Sequence, residues 1–112
     1  MVSKEVEQLL NQAQLYQQQI QAVITQKTAI SLELNEIEKA LEELEKTKEK
    51  NVYKISGTIL IKEGTEKVKK DLGERKDFLN MRIKTIEKQE GKLKEKIEEL
   101  REKLTSEKPT GG

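Results

Sequence analysis

The sequence contains no cysteine and no histidine. Without cysteine there is neither a disulfide framework nor a thiolate nucleophile, and without histidine the usual neutral-pH general base and the commonest metal ligand are missing. Aromatic residues make up 3% of the chain and there is one proline. A compact core built on large side chains is therefore excluded at this length, whereas long helices uninterrupted by proline are permitted. No stretch approaches the roughly 20 apolar residues of a membrane span. The opening MVSKEVEQLL carries charges where a secretion signal needs an apolar centre. Neither sign of charge predominates, since 22 basic and 21 acidic residues leave a formal charge of +1, and no overall field draws in nucleic acid or an anionic membrane. The expectation is a cytoplasmic, non-enzymatic chain with no catalytic residues, no metal and no other cofactor.

What is present is charge in helical order. Charged residues account for 38% of the 112 positions and apolar ones for 33%, a balance that suits a narrow helix seam and, weakly, a thermophilic source. Ser3 reads as an N-cap with Glu5 in the first turn, and a helix is expected over 4–50. Its seam repeats as a heptad: Val6, Ala13, Ile20, Lys27, Leu34 and Leu41 occupy one core position, Val2, Leu9, Tyr16, Val23, Ile30, Ile37 and Leu44 the other. Leu10 and Ile24 widen the stripe. The Gln-rich piece from Gln12 to Gln26 lies within the repeat and reads as a solvated face.

The stretch Asn51 to Lys62, NVYKISGTILIK, breaks this periodicity. Val52, Tyr53, Ile55, Ile59, Leu60 and Ile61 surround a Ser56-Gly57 pair, which predicts a β-hairpin over 51–62 with its tight turn at that pair. Two strands alone are marginal in water and leave open edges, so assembly with strands of other chains is implied. Glu63-Gly64-Thr65 then supplies a break and an N-cap, and a second helix is expected over 65–106, followed by a flexible tail at 107–112 that contains Pro109.

In the second helix Leu72, Leu79, Ile86, Leu93 and Leu100 mark one core position, and Lys69, Lys76, Ile83, Glu90, Ile97 and Leu104 the other. Gly73 and Gly91 fall outside the core positions and could loosen the helix locally. Folding the second helix back on the first pairs Leu41 with Leu72, Leu34 with Leu79, Ile30 with Ile83, Ile20 with Leu93, Tyr16 with Ile97 and Leu9 with Leu104, all about one midpoint between Ser56 and Gly57. The fold class is thus mainly α, an antiparallel two-helix coiled-coil hairpin with one β-hairpin between the helices. That register also sets Lys27 one layer from Glu90, where the two core charges can pair and fix the register.

Three groups of residues are candidates for function. The carboxylates Glu42, Glu43, Glu45, Glu98 and Glu99 lie among lysines on outward heptad positions, which favours helix-surface ion pairs over a metal or acid–base site. The cluster Lys67, Lys69 and Lys70 has acidic neighbours and no interleaved aromatics, so a solvated face is favoured over a nucleic-acid patch. At the ends farthest from the hairpin, Val2, Val6, Leu9 and Leu10 meet Leu100 and Leu104. Helix termini fray, and fraying there would uncover an apolar tip able to hold non-native polypeptide.

The sequence VYKISGTILIK, preceded by LYQQQIQAVITQK and followed by KQEGKLKEKIEEL, resembles the beta-type subunit of archaeal prefoldin over essentially the whole chain. Its most specific parts are Tyr53-Lys54 with Gly57, the run Tyr16-Gln17-Gln18-Gln19, and Lys88-Gln89-Glu90. The resemblance implies an ATP-independent chaperone of two alpha and four beta subunits, whose hairpins combine into β-barrels that form a platform. It implies that non-native proteins are gripped at the distal coiled-coil tips and passed to a group II chaperonin, without nucleic acid or membrane partners. By the same resemblance Val52, Tyr53, Ile55, Ile59, Leu60 and Ile61 serve assembly, and Val6, Leu9, Leu10, Leu100 and Leu104 correspond to the client-binding region. The alternative is a structural coiled-coil spacer whose hairpin only oligomerises.

Overall fold

A computed structural model describes residues 3–106; Val2, Pro109 and the expected tail at 107–112 lie outside the described residues. The order is α1 (Lys4–Lys46), β1 (Asn51–Ser56), β2 (Ile59–Gly64) and α2 (Thr65–Ser106). The start of α1 follows from its cap: the Ser3 hydroxyl accepts the Val6 amide at 3.2 Å, which satisfies an otherwise orphaned donor, and the Ser3 carbonyl accepts the Glu7 amide at 2.9 Å as the first helical bond. Glu5 and Glu7 stand in the first turn, where the helix dipole favours negative charge. Gly73 and Gly91 both lie within α2, which runs through them without interruption.

The chain divides into two compact units, Ala29–Ile83 and Met1–Thr28 with Lys84–Gly112. In the first, Ile30, Leu34, Ile37 and Leu44 of α1 and Leu79 of α2 are buried. In the second, Ile20 of α1 and Ile86 and Leu100 of α2 are buried. Every heptad core position within the described residues is buried or half-buried, including the polar Lys27, Lys69, Lys76 and Glu90. Lysine achieves this by laying its methylenes along the seam while its ammonium reaches outward. Lys69 meets Glu45 at 3.5 Å and Lys76 meets Glu38 at 3.9 Å, both across the coil. Arg75 pairs with Glu33 through two hydrogen bonds at 3.0 and 3.2 Å.

Three boundaries differ from expectation. α1 ends at Lys46 rather than residue 50, and 47–50 form a linker in which the Thr47 hydroxyl accepts the Glu49 amide at 3.2 Å. A threonine hydroxyl that holds the backbone two residues on competes with helix continuation. β2 continues to Gly64, two residues past the expected end, because Asn51 and Val52 pair with Gly64 and Glu63. The turn is Gly57-Thr58, not Ser56-Gly57: Ser56 pairs with Ile59 as the last rung of the ladder. Gly57 has φ +60° and, among the described residues, no non-glycine residue has positive φ, which is the pattern of a type II′ turn with glycine first of the two central residues.

The Lys27 ammonium lies 3.4 Å from a Glu90 carboxylate oxygen and 4.0 Å from Glu87, while Lys94 approaches Glu90 at 3.9 Å. The Glu90 side chain is 14% exposed and that of Lys27 36%, which puts the pair between a surface ion pair and a buried one. A double-mutant cycle with Lys27→Met and Glu90→Met is expected to give a coupling of about 1 kcal/mol in thermal or denaturant unfolding. The reversed pair Lys27→Glu with Glu90→Lys is expected to regain most of the single-mutant losses. Strictly additive single effects would show that the two charges do not interact.

Candidate functional site

The hairpin leaves its apolar side chains in solvent. Side chains alternate along a strand, and directly paired residues share a face. The register therefore puts Tyr53, Ile55 and Leu60 with Lys62 on one face, and Val52, Ile59 and Ile61 with Lys54 and Glu63 on the other. Ile55 is 75% exposed and Ile61, the least exposed of the large ones, 39%, with Tyr53, Ile59 and Leu60 between them; Val52 is half-buried. An antiparallel pair that packs on its own core has one apolar and one polar face. This one has two apolar faces and two open edges, an arrangement that more strands can complete.

In the unit formed by Met1–Thr28 and Lys84–Gly112, Val6, Leu9 and Leu104 are half-buried, Leu10 is exposed and Leu100 is buried at 5% exposure. Leu100 thus closes the coil rather than presenting a free surface. Beside it Ala13, Ile97, Leu100 and Leu104, with Gln17, Arg101 and Thr105, line an open groove of about 340 Å³, the low end of the range for ligand pockets and a fit for one or two side chains. The Lys96 ammonium stands 5.6 Å from the centre of the Tyr16 ring, an exposed cation–π contact that covers the seam at that layer.

The carboxylates singled out from the sequence are not brought together. Glu45 pairs with Lys69, Glu43 with Lys46 and Glu98 with Arg101, and among the described residues no group of three acidic side chains is placed to hold a metal ion. Lys67 is likewise paired, with Glu63 at 3.8 Å. No helix among the described residues is long and apolar enough to cross a membrane.

Sequence reasoning passed over Leu15, Leu32, Phe78 and Met81, which stand outside the seam and are exposed, Met81 to 70%. Their signal was present as apolar residues at outward heptad positions, but single exposed apolar residues are common and decide nothing. It also passed over the junction made by Thr65, which depends on two segments meeting in space.

The fold and its unpartnered strand pair define a class, coiled-coil subunits that carry one β-hairpin. Within it, the chain belongs to the prefoldin family, among the beta subunits: residues 7–108 match the prefoldin subunit family. The prefoldin subunit beta of Thermococcus onnurineus is 43% identical over 113 aligned positions, covering 99% of this chain and 97% of that protein. That of Archaeoglobus fulgidus is 46% identical, covering 89% and 87%. The crystal structure of the prefoldin beta subunit from Thermococcus strain KS-1 is similar with a TM-score of 0.86 at 37% identity, over 97% of each chain.

The turn offers a direct check on the hairpin. A side chain added at Gly57 meets nothing within 4 Å, so its cost is conformational alone. Gly57→Val is expected to weaken the hairpin by about 1–2 kcal/mol, read as faster amide exchange in β1 and β2 with helical content retained. Gly64→Ala, also in open space and without a left-handed backbone, is expected to leave exchange unchanged. Equal behaviour of the two variants would contradict the assigned turn.

Proposed function

We propose that this chain is the beta-type subunit of an ATP-independent chaperone, assembled through its hairpin with alpha-type subunits as two alpha and four beta chains. Its distal helix ends hold non-native polypeptide and deliver it to a group II chaperonin in the cytoplasm. The observation that carries this reading is the hairpin with two apolar faces in a chain of the prefoldin family. Fully burying one aliphatic side chain contributes roughly 1.5–3 kcal/mol, and association costs about 4–15 kcal/mol in lost freedom. Covering one face, with its two or three large side chains, is therefore marginal, while covering both faces and the edges can hold an assembly together. This comparison favours closure among several hairpins over a simple dimer.

For the helix ends, support comes from the groove beside Leu100 and from Val6, Leu9, Leu10 and Leu104, which offer small apolar contacts on elements that fray. Each contact is weak. Several ends around one client raise the overall affinity while each contact still releases readily. Release needs no nucleotide in this scheme, because a downstream partner competes for the same apolar segments. Side chains that repack explain how such ends accept clients without sequence preference.

The first test is the mass in solution of the chain alone and mixed with an alpha-type prefoldin subunit, with a six-chain assembly expected from the mixture. Ile59→Lys with Ile61→Lys is expected to yield soluble, helical, unassembled chains, because two charges are then forced into the closed strands. A six-chain mass surviving that change would argue against assembly through the hairpin. Removing residues up to 10 and from 100 onward is expected to preserve the assembly but to abolish, by tenfold or more, protection of an aggregating protein. Undiminished protection by the shortened form would contradict client binding at the helix ends, and absence of protection by the intact assembly would favour the spacer reading.

A further inference from the structure

Among the described residues Thr65 is the one buried polar side chain, 4% exposed. Its hydroxyl donates to the Glu49 carbonyl at 2.7 Å, and its backbone N–H donates to the Lys50 carbonyl at 2.8 Å. A threonine at the start of a helix ordinarily turns its hydroxyl oxygen to an amide of its own first turn. Here the hydroxyl is instead a donor to backbone sixteen residues earlier, on the segment that leaves the other helix.

The position of this contact follows from an asymmetry of the junction. Four residues, 47–50, separate α1 from β1, whereas β2 ends at Gly64 and α2 begins at Thr65 with nothing between. A hairpin attached directly on one side and through a linker on the other is free to swing unless the linker is tied down. Thr47 ties its near end, with its amide on the Glu43 carbonyl at 3.1 Å and its hydroxyl on the Glu49 amide at 3.2 Å. Thr65 ties its far end. The Thr65 amide bond continues the strand ladder by one rung, since Lys50 and Thr65 directly follow the pair Asn51 and Gly64. The hydroxyl bond adds a second attachment one residue further along, so two neighbouring carbonyls of the linker are held by one residue of α2. Two adjacent attachments remove the rotation that one would leave.

We propose that Thr65 is a positioning residue, whose hydroxyl fixes the angle between the hairpin and the helical segment from which it projects. The function this serves rests on reading the hairpin as the assembly element: a set hairpin angle determines where each coil points once the strands combine. Burial raises the cost of leaving the hydroxyl or the Glu49 carbonyl unpaired. Serine therefore replaces threonine here, whereas valine, equal in shape but without a donor, does not.

The chain has no cysteine, so spin labels can be placed cleanly at Lys54→Cys on the hairpin and Asp77→Cys on α2, both exposed positions. In the full-length chain the distance distribution between them is expected to be narrow, to at least double in width in Thr65→Val, and to stay narrow in Thr65→Ser, with equal helical content in all three. If valine reduces helicity, Thr65→Ala is read in its place, with the same broadening expected. Equal widths in the parent and in the variant lacking the hydroxyl, or broadening in serine as large as in valine, would overturn the proposal. Failure of the parent chain to assemble with an alpha-type subunit would remove the assembly reading and leave this distance result standing. Conversely, an unbroadened distribution removes the role of Thr65 whatever mass the assembly has.

Discussion

Everything in this chain depends on a seam one or two side chains wide. With apolar residues making up 33% of the sequence and charged residues 38%, there is enough apolar surface to line two helices along one stripe each and too little to enclose anything else. In both compact units the buried apolar residues are aliphatic side chains from that stripe, such as Leu34 and Leu79 in one and Ile20 and Ile86 in the other. The stripe is consumed by helix-on-helix packing. The hairpin, which has no helix face to lie on, is left exposed.

That division of the apolar surface separates the two roles proposed for the chain. The helices complete each other, since every inward position among the described residues is buried or half-buried and long polar side chains form ion pairs such as Arg75 with Glu33. The strands do not, because alternation puts apolar residues on both faces of a two-stranded sheet, where the described residues leave Tyr53, Ile55, Ile59, Leu60 and Ile61 exposed. One element is therefore a finished scaffold and the other an unfinished one. Finishing it needs other chains, and a junction tied by Thr47 and Thr65 presents the unfinished element in a set direction.

Polar residues in the seam mark where packing alone would leave the register open. A heptad pattern is nearly unchanged by a shift of seven residues, so aliphatic side chains by themselves permit several alignments. Lys27 and Glu90 differ in this respect, because this alignment brings the two core charges to 3.4 Å and a shift of seven residues would separate them. Lys69 and Lys76 are more permissive: their ammonium groups reach the coil edge, where Glu45 and Glu38 are two of many available carboxylates. The same residue type thus specifies alignment at one layer and only tolerates it at another, according to whether its partner carboxylate sits in the seam, as Glu90 does at 14% exposure, or on the surface, as Glu45 and Glu38 do at 73% and 53%.

The helices, their antiparallel seam, the Ser3 cap and the exposed apolar hairpin were all legible in the sequence, because each depends on spacing along the chain: three and four residues for a helix face, two for a strand. Boundaries that depend on competition were not. α1 stops at Lys46 because Thr47 engages the linker backbone, and the turn sits at Gly57-Thr58 because only glycine readily takes the left-handed first position, which shifts the ladder one residue past the midpoint of the seam. The donation from Thr65 to Glu49 could not be read from spacing at all. Periodicity determines which face of an element is inward. Which atoms meet across a junction is decided only when separate segments are brought together, since a hydrogen bond depends on distance and angle in space and not on separation in sequence.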